Sequence, residues 1–143
     1  HIPEDRWFWQ PHESVTHAAW QVGHLAIAQY SLGLKRIRGE RPEDEAMISK
    51  DFLGQFGKGS TPQPRASDYP AIDEIRTTLN RVHEQVLQEI PGVSDAALDE
   101  PTLQPHPLFQ SKLGSLHWCA QHEMLHAGQL GLLRRMMGYE PLR

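Results

Sequence analysis

The stretch SKLGSLHWCAQHEMLHAGQLGLLRRMMG, Ser111–Gly138, contains no proline and is rich in residues that favour helix. Its composition predicts a single helix over about Ser111–Met137. At ~1.5 Å per residue such a helix is roughly 40 Å long. Gly138 supplies the stop, with Pro141 just behind it, and Arg134 and Arg135 place cations in the last turn, where they suit the helix dipole. A helix of this length creates a need for packing partners elsewhere in the chain.

Three further segments answer it. From Val15 to about Ile37 there is no proline, and Val15, Ala18, Ala19, Val22, Leu25, Ala26 and Leu32 mark an apolar face. Ser14 or Thr16 is the expected N-cap, and Gly39 and Pro42 the end. A second long helix is predicted over Ala71–Ile90, where Ile72, Ile75, Leu79, Val82, Val86 and Ile90 form an amphipathic stripe that Pro91 and Gly92 terminate. Residues 43–56 read as one short helix with an acidic first turn, and 57–70 as a glycine- and proline-rich loop or crossover. Residues 92–110 hold a helical turn near Ser94–Leu98 and then turn proline-rich. No alternating β-branched run predicts a strand. The expected fold is all-α, an antiparallel four-helix bundle forming one domain over 1–143. Only three long helices are visible, so the first long helix is expected upstream of His1.

The long C-terminal helix carries His122 and His126, and positions i and i+4 share a helix face with Cβ atoms ~5–6 Å apart. Two imidazoles so placed can converge on one cation, and imidazole suits zinc, nickel, iron or copper. An open site needs a third ligand. His24, in the middle of the Val15–Ile37 helix and among apolar residues, is the candidate. His17 shares its face but lies about 10.5 Å away along the axis, too far to serve the same ion, so it reads as a packing or supporting residue. His117 is rotated away from the pair, His83 is expected to face solvent, and His1, His12 and His106 fall in irregular segments. Cys119 lies one turn before His122 and is expected to be a buried, inert thiol. Gln129 is a candidate pocket-lining amide.

His122-Glu123-Met124-Leu125-His126 also spells HExxH, the zinc-peptidase signature. The rest of the chain argues against that chemistry. A third histidine ligand would fall at the position of Leu132, the accompanying glycine comes one residue early at Gly128, and Glu140 lies beyond the helix stop. Glu123 points about 100° away from His122, as a supporting partner or a polar neighbour.

Bulk properties exclude other classes. Fourteen Lys and Arg against eighteen Asp and Glu give a formal charge of −4, with no basic stripe for duplex binding. No run of ~18 apolar residues spans a membrane, and no charged-then-apolar leader precedes the first helix. A single cysteine excludes an intrachain disulfide and fits a cytoplasmic, reducing location.

WQVGHLA (Trp20–Ala26) together with HEMLHAGQLGLLRRMMG (His122–Gly138) resembles the DinB/YfiT-like superfamily, whose pattern is W-x-x-x-H on one helix and HxxxH-x-GQ…R…G on the last. The entry DRWFWQP, Asp5–Pro11, is similar to that family's as well. The resemblance implies a four-helix bundle holding a divalent metal on His24, His122 and His126. Zinc or nickel is the expected ion, with iron or manganese as alternatives. It also implies a homodimer and a small-molecule substrate, with the metal activating water or a low-molecular-weight thiol in a thiol S-transferase-like or hydrolase-like reaction. The alternative is a non-catalytic metal-binding or dimerisation bundle.

Overall fold

Four alanines and two glutamines favour helix in the segment after His17, and it forms helix α1 (Ala18–Gln29). The helix does not simply run on to Ile37: it widens into a π-helical stretch at Tyr30–Lys35 and ends in a last turn, α2 (Arg36–Arg38). Gly39, at φ 90°, takes the left-handed conformation that stops it. In this computed structural model, which describes residues 2–141, the chain continues through α3 (Asp44–Met47), α4 (Lys50–Phe56), α5 (Ile72–Glu89), α6 (Asp95–Asp99), a hairpin of β1 (Pro101–His106) and β2 (Phe109–Ser111), and α7 (Lys112–Met136).

The expected cap at Ser14 or Thr16 is replaced by His17, whose Nδ1 accepts the Trp20 backbone N–H at 3.0 Å. The predicted helix over 43–56 is two helices. Ile48 adopts an extended conformation between them, and the Ser49 side chain caps α4 by accepting from Phe52 N–H. Residues 101–111 pair as an antiparallel hairpin, Pro101 opposite Ser111 and His106 opposite Phe109. The prolines hid it, because they erase the two-residue alternation, yet a two-stranded ribbon has only edge strands, where proline is tolerated. Glu100 holds its base, with its carbonyl accepting Lys112 N–H at 3.0 Å and its carboxylate pairing with Lys112 Nζ at 2.8 Å.

The three long helices pack in two senses. Gly33 of the π-helical stretch lies against Val86 and Arg38 of α2 pairs with Glu89, so the helix that runs from α1 to α2 is parallel to α5, joined to it by the crossover through α3 and α4. Gln21 meets His126, Gln29 meets Glu123 and Leu32 meets Ser115, so α7 runs antiparallel to α1. The fourth long helix expected upstream of His1 lies outside the described residues. Core burial concentrates between α1, α4 and α5, at Ala19, Ala26, Leu34, Phe56, Ile75 and Val82. The crossover's start is pinned there by Asp44, which receives Arg38 on both oxygens and the Tyr30 hydroxyl. No helix among the described residues is long and apolar enough to cross a membrane.

Candidate metal centre

At Gly23 the Phe56 ring lies so close that an added Cβ would stand 2.5 Å from it. Only glycine admits this approach, and it brings the end of α4 against the helix that carries His24. The Phe56 carbonyl then takes the His24 Nδ1 proton at 2.9 Å. A carbonyl can only accept, so Nδ1 is protonated and Nε2 presents its lone pair. Trp20 stacks on the same imidazole at 4.7 Å and 8°, and is itself held by Ser60, whose Oγ accepts the indole N–H at 2.8 Å.

The antiparallel α7 delivers His122 and His126 to this point. Their rings lie 5.3 and 5.1 Å from that of His24 and 4.6 Å from each other. One ligand nitrogen from each of the three lies within 4.8 Å of the others, a cluster that could hold a metal ion. Nitrogens sharing a tetrahedral zinc at about 2.0–2.1 Å stand roughly 3.4 Å apart, so modest side-chain rotation closes the set.

The supporting contacts fit such an ion. His126 Nδ1 faces the Gln21 amide oxygen at 3.4 Å, while the Gln21 amide nitrogen donates to Thr16 Oγ at 2.9 Å. That relay turns the oxygen towards His126 and leaves its Nε2 free. His122 Nδ1 is buried with no hydrogen-bond partner among the described residues, the condition of a nitrogen that a metal would satisfy. All three imidazoles are held neutral and ready to ligate. Burial lowers the pKa of each, that of His126 to about 4, and mutual repulsion between the rings deepens the effect at His122 and His126.

The other candidates fall elsewhere. His17 is fully buried with both nitrogens committed, Nδ1 to the Trp20 N–H and Nε2 to the Gln63 carbonyl at 3.0 Å. His83 and His117 are exposed, His106 stacks on Phe109, and His12 bonds Ser14 at the surface. His1 lies outside the described residues. The Cys119 thiol is pushed up to about 12, chiefly by burial and then by Glu123, so it stays protonated. Glu123 accepts from the Gln29 amide at 2.8 Å and bridges α7 to α1.

Two supporting residues went unpredicted. Gln21 is 1% exposed. Its signal was a glutamine on a helix face otherwise filled with apolar residues, one turn before a histidine. The Phe56 carbonyl had none, because a backbone group becomes a partner only through the fold.

The DinB superfamily model matches residues 1–130. The chain belongs to the DinB superfamily. The match spans the entry segment, α1 with His24, and α7 through His122, His126 and Gln129. Neither a curated protein nor a solved structure matches this DinB-superfamily chain.

Proposed function

We propose that this single-domain chain is a metal-dependent enzyme in which His24, His122 and His126 hold one divalent ion, zinc or nickel, that activates water or a low-molecular-weight thiol. The observation that carries the reading is the cluster itself: three imidazoles from two helices with donor atoms within 4.8 Å, one of them with a buried nitrogen that no described residue hydrogen-bonds. A divalent ion there would supply Lewis acidity and bring a water or thiol pKa towards neutrality.

The chain's own residues define the rest. Phe56 and Gln21 orient the imidazoles of His24 and His126, as hydrogen-bonded partners of histidine ligands do. Trp20 covers one face of His24 and excludes water from it. A groove lined by His126, Trp20 and Gln21 adjoins the cluster, where a small substrate can approach. Glu123 is engaged by Gln29 on α1, which speaks against its use as the water-activating base of a peptidase.

The test is elemental analysis of purified protein, followed by thiol-conjugation and hydrolysis assays with and without chelator. About one equivalent of metal is expected, lost on replacing any of the three histidines by alanine. Metal retained by two of those three variants would refute the ligand set. A non-catalytic dimerisation bundle is the second reading, favoured by the exposed apolar residues Met124, Leu125, Leu132 and Met136 on α7. Homodimerisation and a cytoplasmic location accompany either reading.

A further inference from the structure

We propose that the groove opening from His126 is a substrate site that selects an uncharged, largely apolar group. The proposal rests on the metal-centre reading, whose reacting end it extends. The groove encloses about 390 Å³ between the entry to α1 and the last turns of α7. Val15, Trp20, Leu132, Leu133 and Met136 line it together with His126, which is 8% exposed. Among the described residues, no Asp, Glu, Lys or Arg lines it. The grooves at the far end of α1 differ: Arg38 and Glu89 line one, and Glu40, Arg41 and Asp44 another.

A charged ligand group lying along the His126 groove would shed water and meet no counter-charge from the described lining, a cost that an alkyl or aryl group escapes. The polar groups available suit a neutral ligand. Gln129 can donate and accept one turn beyond His126, and the Thr16 hydroxyl, already accepting from Gln21, keeps its proton to donate. Leu132 and Met136 are 50% and 51% exposed, so a ligand lying along the groove gains apolar burial at its outer end. Leu132 follows His126 by six residues, about 9 Å along the helix, which a six-carbon chain anchored at the cluster nearly spans.

The test uses the full chain loaded with cobalt(II), and reads cobalt–thiolate absorption with mercaptohexanol, mercaptohexanoate and aminohexanethiol, each bearing a terminal thiol. Compared at equal thiolate concentration, mercaptohexanol should bind at least about tenfold more tightly than either charged probe. The ion's own charge would draw the carboxylate inward, so this order runs against the metal's preference. Leu132→Lys, at a half-exposed position that the fold tolerates, should reverse the order in favour of mercaptohexanoate. Equal or tighter binding of a charged probe to the parent chain, or an unchanged order in Leu132→Lys, would overturn the proposal. If cobalt is not retained, the metal-centre reading fails on its own. Methyl NMR shifts of Leu132 and Met136 with hexanol, hexanoate and hexylamine then decide the groove: hexanol binding tightest supports it, and any other order refutes it.

Discussion

Helices α1 and α7 meet at the same three imidazoles but are held in opposite ways. Of the twelve residues of α1, eight are buried, against α4, α5 and α7. Of the twenty-five residues of α7, four are buried: Lys112, Ser115, His126 and Leu133. Apolar packing fixes the first helix. The second is attached largely by polar anchors, namely Lys112 to Glu100, Ser115 to the Leu32 carbonyl, Glu123 to Gln29 and His126 to Gln21. Two of the three candidate ligands therefore ride on the less buried helix, and an ion at the cluster would cross-link it to the better buried one.

The contrast predicts a graded series of effects. Metal should act most strongly: at a free concentration a thousandfold above the dissociation constant it should stabilise the fold by about 4 kcal/mol. Hydrogen exchange should show the gain in protection on α7 more than on α5, and equal gains on both would contradict the account. Next comes Ile75→Ala in the α1–α5 core, where Ile75 is fully buried. It should cost about 2–5 kcal/mol in chemical denaturation.

His17 tests the buried side through pH. Burial lowers its pKa from 6.5 to about 4. Between those values the unfolded chain binds a proton that the folded chain refuses, so stability must fall as pH drops from 6.5 towards 4 and be fully present above 6.5. The contribution approaches roughly 3 kcal/mol at the acid end, at about 1.36 kcal/mol per pH unit. His17→Asn keeps a capping acceptor and should flatten that part of the stability–pH curve; an unchanged slope would remove His17 as its source.

Ser115→Ala follows, because it strips the hydroxyl that reaches the Leu32 carbonyl at 2.8 Å in a fully buried contact. A cost of about 1–3 kcal/mol is expected, together with weaker metal retention, since this bond helps set the position of α7. The smallest effect belongs to Met124→Ser on the open face of α7. Met124 is 73% exposed, and the change should stay within about 0.5 kcal/mol in monomeric protein. A larger loss that depends on protein concentration would show that a second copy covers this face.

The π-helical stretch at Tyr30–Lys35 links these anchors to the sequence. Local propensity predicted an unbroken helix here, since no proline interrupts it. Wider winding accompanies an outside partner for the Leu32 carbonyl, supplied by Ser115 from 83 residues away. The split at Ile48 and the hairpin at 101–111 escaped for related reasons: each is held by contacts that short-range periodicity does not encode. Helices α5 and α7 were legible almost to their ends because an amphipathic stripe and terminal glycine or proline are local signals.

The sequence by itself determined which residues could ligate. One helical turn between His122 and His126 puts both on one face, and the apolar setting of His24 points it inward; these are consequences of helix geometry alone. Tertiary structure decided whether the two helices would meet there, in which direction, and which nitrogen the His24 and His126 rings present. Those outcomes rest on the Phe56 ring against Gly23, the Phe56 carbonyl and the Gln21 amide. Each acts across the chain between segments far apart in number, where no local pattern records the contact.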